Sequence, residues 1–110
     1  MGRYDGRLIV CATTFPSRAS AEEAVRRLVE EGLVVCGQVG ADLVSFYRWR
    51  GEVQRDAEVA VLLKIRDEDC EAACRRLEAV HPYDVPQIVS WPATRVADAY
   101  GRWAWSEEDA

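Results

Sequence analysis

The stretch LVSFYRWRGEVQRDAEVAVLLKI, residues 43–65, reads as one long β-hairpin. Leu43, Ser45, Tyr47 and Trp49 alternate with Val44, Phe46, Arg48 and Arg50; Gly51 and Glu52 turn the chain, and Val53 to Ile65 runs back. Near the turn the return arm keeps the alternation, Val53, Arg55 and Ala57 against Gln54, Asp56 and Glu58, and from Val59 to Leu63 it is apolar at consecutive positions. Its near end is expected to be half solvated and its far end buried on both faces. A thirteen-residue strand from Val53 to Ile65 spans ~44 Å at ~3.4 Å per residue. A compact chain of this size has a radius of gyration of ~13 Å and a diameter of ~34 Å, so the hairpin must overhang its own domain. Exposed ribbon edges with Phe46, Tyr47 and Trp49 near the tip need a partner. The expectation is a homo-oligomer in which hairpins pair between subunits.

Outward from the hairpin, residues 7–14 (RLIVCATT) read as a strand buried on both faces and ended by Pro16. Ser20 with Glu23 forms a capping-box pattern, and Ala24, Val25, Leu28 and Val29 share one helical face up to Gly32. Leu33 to Val39 is a second short strand, loosened by Gly37 and Gly40. After the hairpin, Asp67 caps a second helix through about Ala79, with Cys70, Ala73, Cys74, Leu77 and Val80 on its inner face. HPYDVP, residues 81–86, is a rigid connector because Pro82 and Pro86 each fix a φ angle. Gln87 to Trp91 is a last strand, Thr94 to Trp105 carries a short C-terminal helix, and the acidic tail Glu107 to Asp109 frays. The order βαββαβ describes an α+β, ferredoxin-like sandwich with its helices on one sheet face. One domain is expected over 1–110, with a core from about 7 to 105.

Composition narrows the function. The 110 residues are 49% apolar and 30% charged, an ordinary globular balance, with a formal net charge of −5. That sign argues against nucleic acid or an anionic membrane as partner. Leu8 to Ala12 is the longest apolar run near the start, too short for a secretory signal or a membrane span, so a cytoplasmic protein is expected. The four cysteines, Cys11, Cys36, Cys70 and Cys74, form no CxxC and sit in apolar patterns as small core groups. His81 is the only histidine. With no G-x-S-x-G, P-loop, HExxH or GxGxxG, an enzyme is not expected.

Cys11-Ala-Thr-Thr14, the S-x-Y-x-W-x-G-E run from Ser45 to Glu52, Glu58 with Lys64, His81-Pro82-Tyr83 with Val85-Pro86, and Tyr100 with Trp103 together resemble the CutA divalent-cation tolerance proteins. The likeness runs from about residue 8 to 105. It implies a non-enzymatic ferredoxin-like subunit similar to the nitrogen-regulatory PII proteins, a homotrimer built through long hairpins, and a role in tolerance of copper and other divalent ions. No cofactor is required. The resemblance also implies a metal site at Cys11, at His81 and at an acidic position that here is Gln87. A neutral amide replaces a carboxylate poorly, so the expected binding is weaker and leans toward Cu(I). Asp84 is the nearest acid, able to compensate only if the loop turns it inward. The alternative is a PII-like signalling or scaffold module, with Tyr47, Trp49, Glu58 and Lys64 lining an inter-subunit cleft for a small anionic ligand or a protein partner.

Overall fold

Backbone pairing turns the long alternating stretch into two strands, β2 (Cys36–Trp49) and β3 (Glu52–Arg66), matched antiparallel from Cys36 opposite Lys64 to Trp49 opposite Glu52. The expected separate strand at Leu33 to Val39 is therefore the beginning of β2. A register shift between Val39 and Asp42 takes Gly40 and Ala41 out of the pairing. Such a bulge bends and twists a strand without ending it. The turn is Arg50-Gly51, one residue earlier than expected, with φ of 52° and 83°. Two successive left-handed residues match the twist of a two-residue hairpin. Gly51 adopts that conformation freely, whereas a side-chain-bearing residue such as Arg50 loses about 1–2 kcal/mol there.

The computed structural model describes residues 7–106. Its remaining elements are β1 (Leu8–Phe15), α1 (Arg18–Glu30), a 3-10 turn (Asp67–Asp69), α2 (Cys70–Val80), β4 (Ile88–Pro92) and α3 (Asp98–Ala104). The strands form one antiparallel sheet in the order β2-β3-β1-β4, the ferredoxin-like arrangement. The described residues measure 55 × 26 × 23 Å with a radius of gyration of 15.2 Å, above the ~13 Å of a compact chain of this length. The overhang inferred from strand length is present. The acidic tail Glu107 to Asp109 lies outside the described residues, and no described helix is long and apolar enough to cross a membrane.

The core occupies one face of the sheet. Ala21, Ala24, Val25 and Leu28 of α1 and Ala73 and Leu77 of α2 pack on Cys11 and Phe15 of β1 and on Val59, Val61, Leu63 and Ile65 of β3. Both crossover helices land on that side, so neither covers the opposite face. There Leu62 is 41%, Val89 54% and Trp91 45% exposed. The double burial expected for β1 and the far end of β3 is thus realised on the helix face alone. α1 lies so close to β2 that a Cβ at Gly37 would fall 2.3 Å from Val25 Cγ1.

The helix starts differ from the expected ones. α1 is capped by Ser17, whose Oγ accepts the Ser20 N–H at 3.1 Å. A box on Ser20 would need Glu23, but that carboxylate is held by Arg26 and Arg27. Asp67 opens the 3-10 turn instead of capping α2, and Asp69, at the cap position, makes no side-chain cap bond and lies 4.0 Å from Arg66. β4 begins at Ile88, which leaves Gln87 in the connector.

Candidate functional site

The end of β1, the middle of β3 and the connector after α2 meet at the root of the hairpin. The register of β1 on β3 sets Thr14 opposite Ala60 and Ala12 opposite Leu62, so the Thr14 side chain stands on the open face with Glu58. Thr14 Oγ1 donates to Glu58 Oε2 at 3.0 Å, and the Tyr83 hydroxyl donates to the same oxygen at 2.9 Å. Burial first, and then the Glu58 carboxylate, push the Tyr83 phenol up to about 12, so it remains a donor near neutrality. Across the ribbon the Tyr47 hydroxyl donates to Asp56 Oδ2.

His81 closes α2 beneath this network. The Tyr83 backbone N–H, which can only donate, meets Nδ1 at 3.2 Å, and Nε2 lies 2.8 Å from the Thr14 carbonyl, which can only accept. These partners assign the proton to Nε2. Thr13 Oγ1 stands 3.4 Å from Nε2, and the ring stacks on Phe15 with centroids 4.2 Å apart. Burial lowers the imidazole pKa against the opposing pull of the Thr14 carbonyl and Glu58, so the ring is neutral at pH 7.

Above the network opens a cleft of about 640 Å³. Ser45, Phe46, Tyr47 and Trp49 of β2, Asp56 and Glu58 of β3, and residues 83–87 of the connector line it together with Thr14. Of the residues singled out from sequence, Tyr47, Trp49, Glu58 and Gln87 share this space, and the exposed Asp84 also borders it. Lys64 is elsewhere: six positions along β3 from Glu58, it sits opposite Cys36 and donates to Gln38 Oε1 at 2.6 Å. Six residues of strand span ~20 Å, and among the described residues the lining contains no Lys or Arg. Cys11 is also absent from the lining. It is fully buried on the helix face opposite Leu63, and burial, followed by the neighbouring Cys74 thiol, pushes its pKa up to about 12. Among the described residues no three His, Cys, Asp or Glu side chains converge closely enough to hold one metal ion. Thr14 and Asp56 were not singled out from sequence as cleft residues. For Asp56 the signal was present, since it stands two places from Glu58 and so on the same strand face.

Comparison with known proteins places this geometry among relatives. The family described as CutA1 divalent ion tolerance protein matches residues 9–107. The Divalent-cation tolerance protein CutA of Pyrococcus horikoshii is 36% identical over 96 residues, covering 87% of this chain and 93% of that protein. The protein of the same description from Thermus thermophilus is 37% identical over 94 residues, covering 86% and 91%. Among solved structures, the divalent ion tolerance protein CutA1 from Ehrlichia chaffeensis superposes with a TM-score of 0.87 at 27% identity, over 92% of this chain and 94% of that one.

Proposed function

The chain belongs to the CutA1 divalent ion tolerance family, and on that premise we propose that it serves divalent-cation tolerance as a non-enzymatic, cation-binding homotrimer of the cytoplasm. One observation carries the reading: Asp56, Glu58 and Asp84 line the cleft at the hairpin root, and among the described residues its lining contains no Lys or Arg. Carboxylates around a concave space focus a negative potential that concentrates cations over anions. Within one chain Lys64 stands away from the cleft on Gln38, so it offers no counter-charge there to the small anionic ligand of the alternative reading.

For copper, the proposed donors are His81, which is hydrogen-bonded to the cleft residues Thr14 and Tyr83, and Gln87, with Asp84 as the anionic group that position 87 lacks. To coordinate, His81 must release either Tyr83 N–H from Nδ1 or the proton on Nε2. Cys11 joins this set only by losing a proton that its burial holds. Oxygen and imidazole donors favour Cu(II) over the Cu(I) preference expected from a thiolate. The trimer is supported by the overhanging hairpin and by Leu62, Val89 and Trp91 on the uncovered sheet face.

Calorimetric titration with copper(II) tests the assignment. His81→Ala, Glu58→Gln and Asp84→Asn are each expected to weaken binding about tenfold, in line with the loss of one charged or ligating group. Unchanged affinity after His81→Ala and Cys11→Ser removes both as ligands, and unchanged affinity after Glu58→Gln and Asp84→Asn removes the cleft.

A further inference from the structure

The helix side of the sheet, turned away from the open face and the cleft, carries a cluster of thiols. Cys70 and Cys74 stand one turn apart on α2, both only half-buried, and the fully buried Cys11 of β1 lies behind them. The Cys74 thiol neighbours those of Cys11 and Cys70. No nitrogen or oxygen of the described residues hydrogen-bonds to the Cys11 or Cys74 thiol. None of the three lines the cleft.

Helix geometry decides what such a pair can do. Cβ atoms one turn apart are separated by ~5–6 Å, whereas a disulfide needs ~3.5–4.5 Å. The regular helix therefore keeps Cys70 and Cys74 from closing on each other. Two metal–sulfur bonds of ~2.3 Å place their sulfurs ~4.6 Å apart, a span these thiols reach without unwinding α2. Among the described residues no three His, Cys, Asp or Glu side chains converge on one ion. The pair thus offers two soft ligands, which suits copper(I) better than zinc or other divalent ions that take four or more. Cys70 is the first residue of α2, where the helix N-terminus favours thiolate over thiol. Burial, followed by the neighbouring Cys70, pushes the Cys74 thiol up, so it keeps its proton until an ion displaces it.

We infer that Cys70 and Cys74 form a two-coordinate thiolate site for a soft monovalent metal ion of the copper(I) type, with Cys11 packed behind it. Both thiols release their protons to solvent as the two metal–sulfur bonds form, and the ion keeps its oxidation state. The site shares no donor with the oxygen and imidazole set proposed for copper(II) at the cleft, and it stands or falls without that set.

Competition for copper(I) between bicinchoninate and the reduced, purified assembly, kept free of oxygen, tests it. The wild type is expected to take a single equivalent per chain and to gain an ultraviolet thiolate-to-metal absorption. Cys70→Ser and Cys74→Ala should each weaken copper(I) by at least about tenfold, the least that loss of a supporting group costs a metal site. Cys36→Ala, a thiol on β2 outside the cluster, should leave the affinity unchanged, and zinc(II) should not displace the bound ion. Cys70→Ser, half-buried at the helix start where Ser is well tolerated, keeps the test readable if Cys74→Ala disturbs packing. No copper(I) uptake, or equal uptake by wild type, Cys70→Ser and Cys74→Ala, overturns the proposal. An equal loss in Cys36→Ala overturns it too, because it marks unselective capture by any thiol. Copper(I) binding of the expected variant dependence without copper(II) binding leaves this inference standing and sinks the metal reading of the cleft. The reverse pattern does the opposite.

Discussion

The Tyr83 hydroxyl donates a hydrogen bond to Glu58 Oε2 at 2.9 Å, joining the connector after α2 to the middle of β3 across 25 positions of sequence. Thr14 donates to the same oxygen at 3.0 Å from β1. One carboxylate oxygen thus gathers three separate segments, and two donors on it hold the Glu58 side chain in place. The same contact closes a chain of bonds from His81 through the Tyr83 backbone to the site's negative wall.

Removing the phenolic oxygen tests the strength of that junction. Tyr83→Phe keeps the ring and deletes one hydrogen bond to a charged acceptor, at a cost of about 1–2 kcal/mol for a part-buried pair. Urea denaturation should show the loss as a lower midpoint with an unchanged slope. Unaltered stability would mean that Thr14 alone orients Glu58.

The burial of His81 gives an acid-side dependence. Its folded pKa lies below its ordinary value, so near and below pH 6.5 the unfolded chain takes up a proton that the folded one resists. Stability should therefore fall as pH drops through about 6.5 toward the lowered folded value, and no further from this group once both states are protonated. His81→Gln, which cannot titrate, should flatten the slope between pH 7 and 5 in thermal melts. Parallel slopes for the two proteins would remove His81 as the cause.

Gly37 should tolerate no side chain. A Cβ there would meet Val25 Cγ1 at 2.3 Å, and overpacking of this kind costs about 1–3 kcal/mol. Trimming the opposing side chain should relieve the clash, so Gly37→Ala with Val25→Ala is expected to cost less than the sum of the two single changes. Additive losses in chemical denaturation would show that α1 can shift to make room.

Assembly through the hairpins should couple folding to concentration. If the open sheet face and the overhang are covered by other copies, the melting temperature must rise with protein concentration. Light scattering should give about three chains per particle. A monomeric mass with a concentration-independent melt would sink the proposed trimer.

Alternation from Leu43 to Ile65 was enough to read the hairpin, because side chains on a strand point to opposite faces at every step. Strand length against domain size likewise made the overhang legible. The turn and the helix caps were less so. Glu52 pairs with Trp49 and Ser17 caps α1 because of neighbours, Arg50-Gly51 and the Arg26 and Arg27 pair on Glu23, whose competition cannot be ranked from spacing. Burial was over-read at Val59 to Leu63 for a related reason: an apolar run does not say whether its second face is covered by the same chain.

By itself the sequence determined the α+β order of elements, the long ribbon and the residue types available for binding, since these depend on periodicity and local stereochemistry. Only the tertiary structure decided which of those residues meet. Strand register set Lys64 opposite Cys36, where it meets Gln38, and kept Cys11 on the helix face, while the connector brought Tyr83, Asp84 and Gln87 to the hairpin root. Residues 25 or more positions apart become neighbours through pairing and packing, and no local pattern encodes that distance.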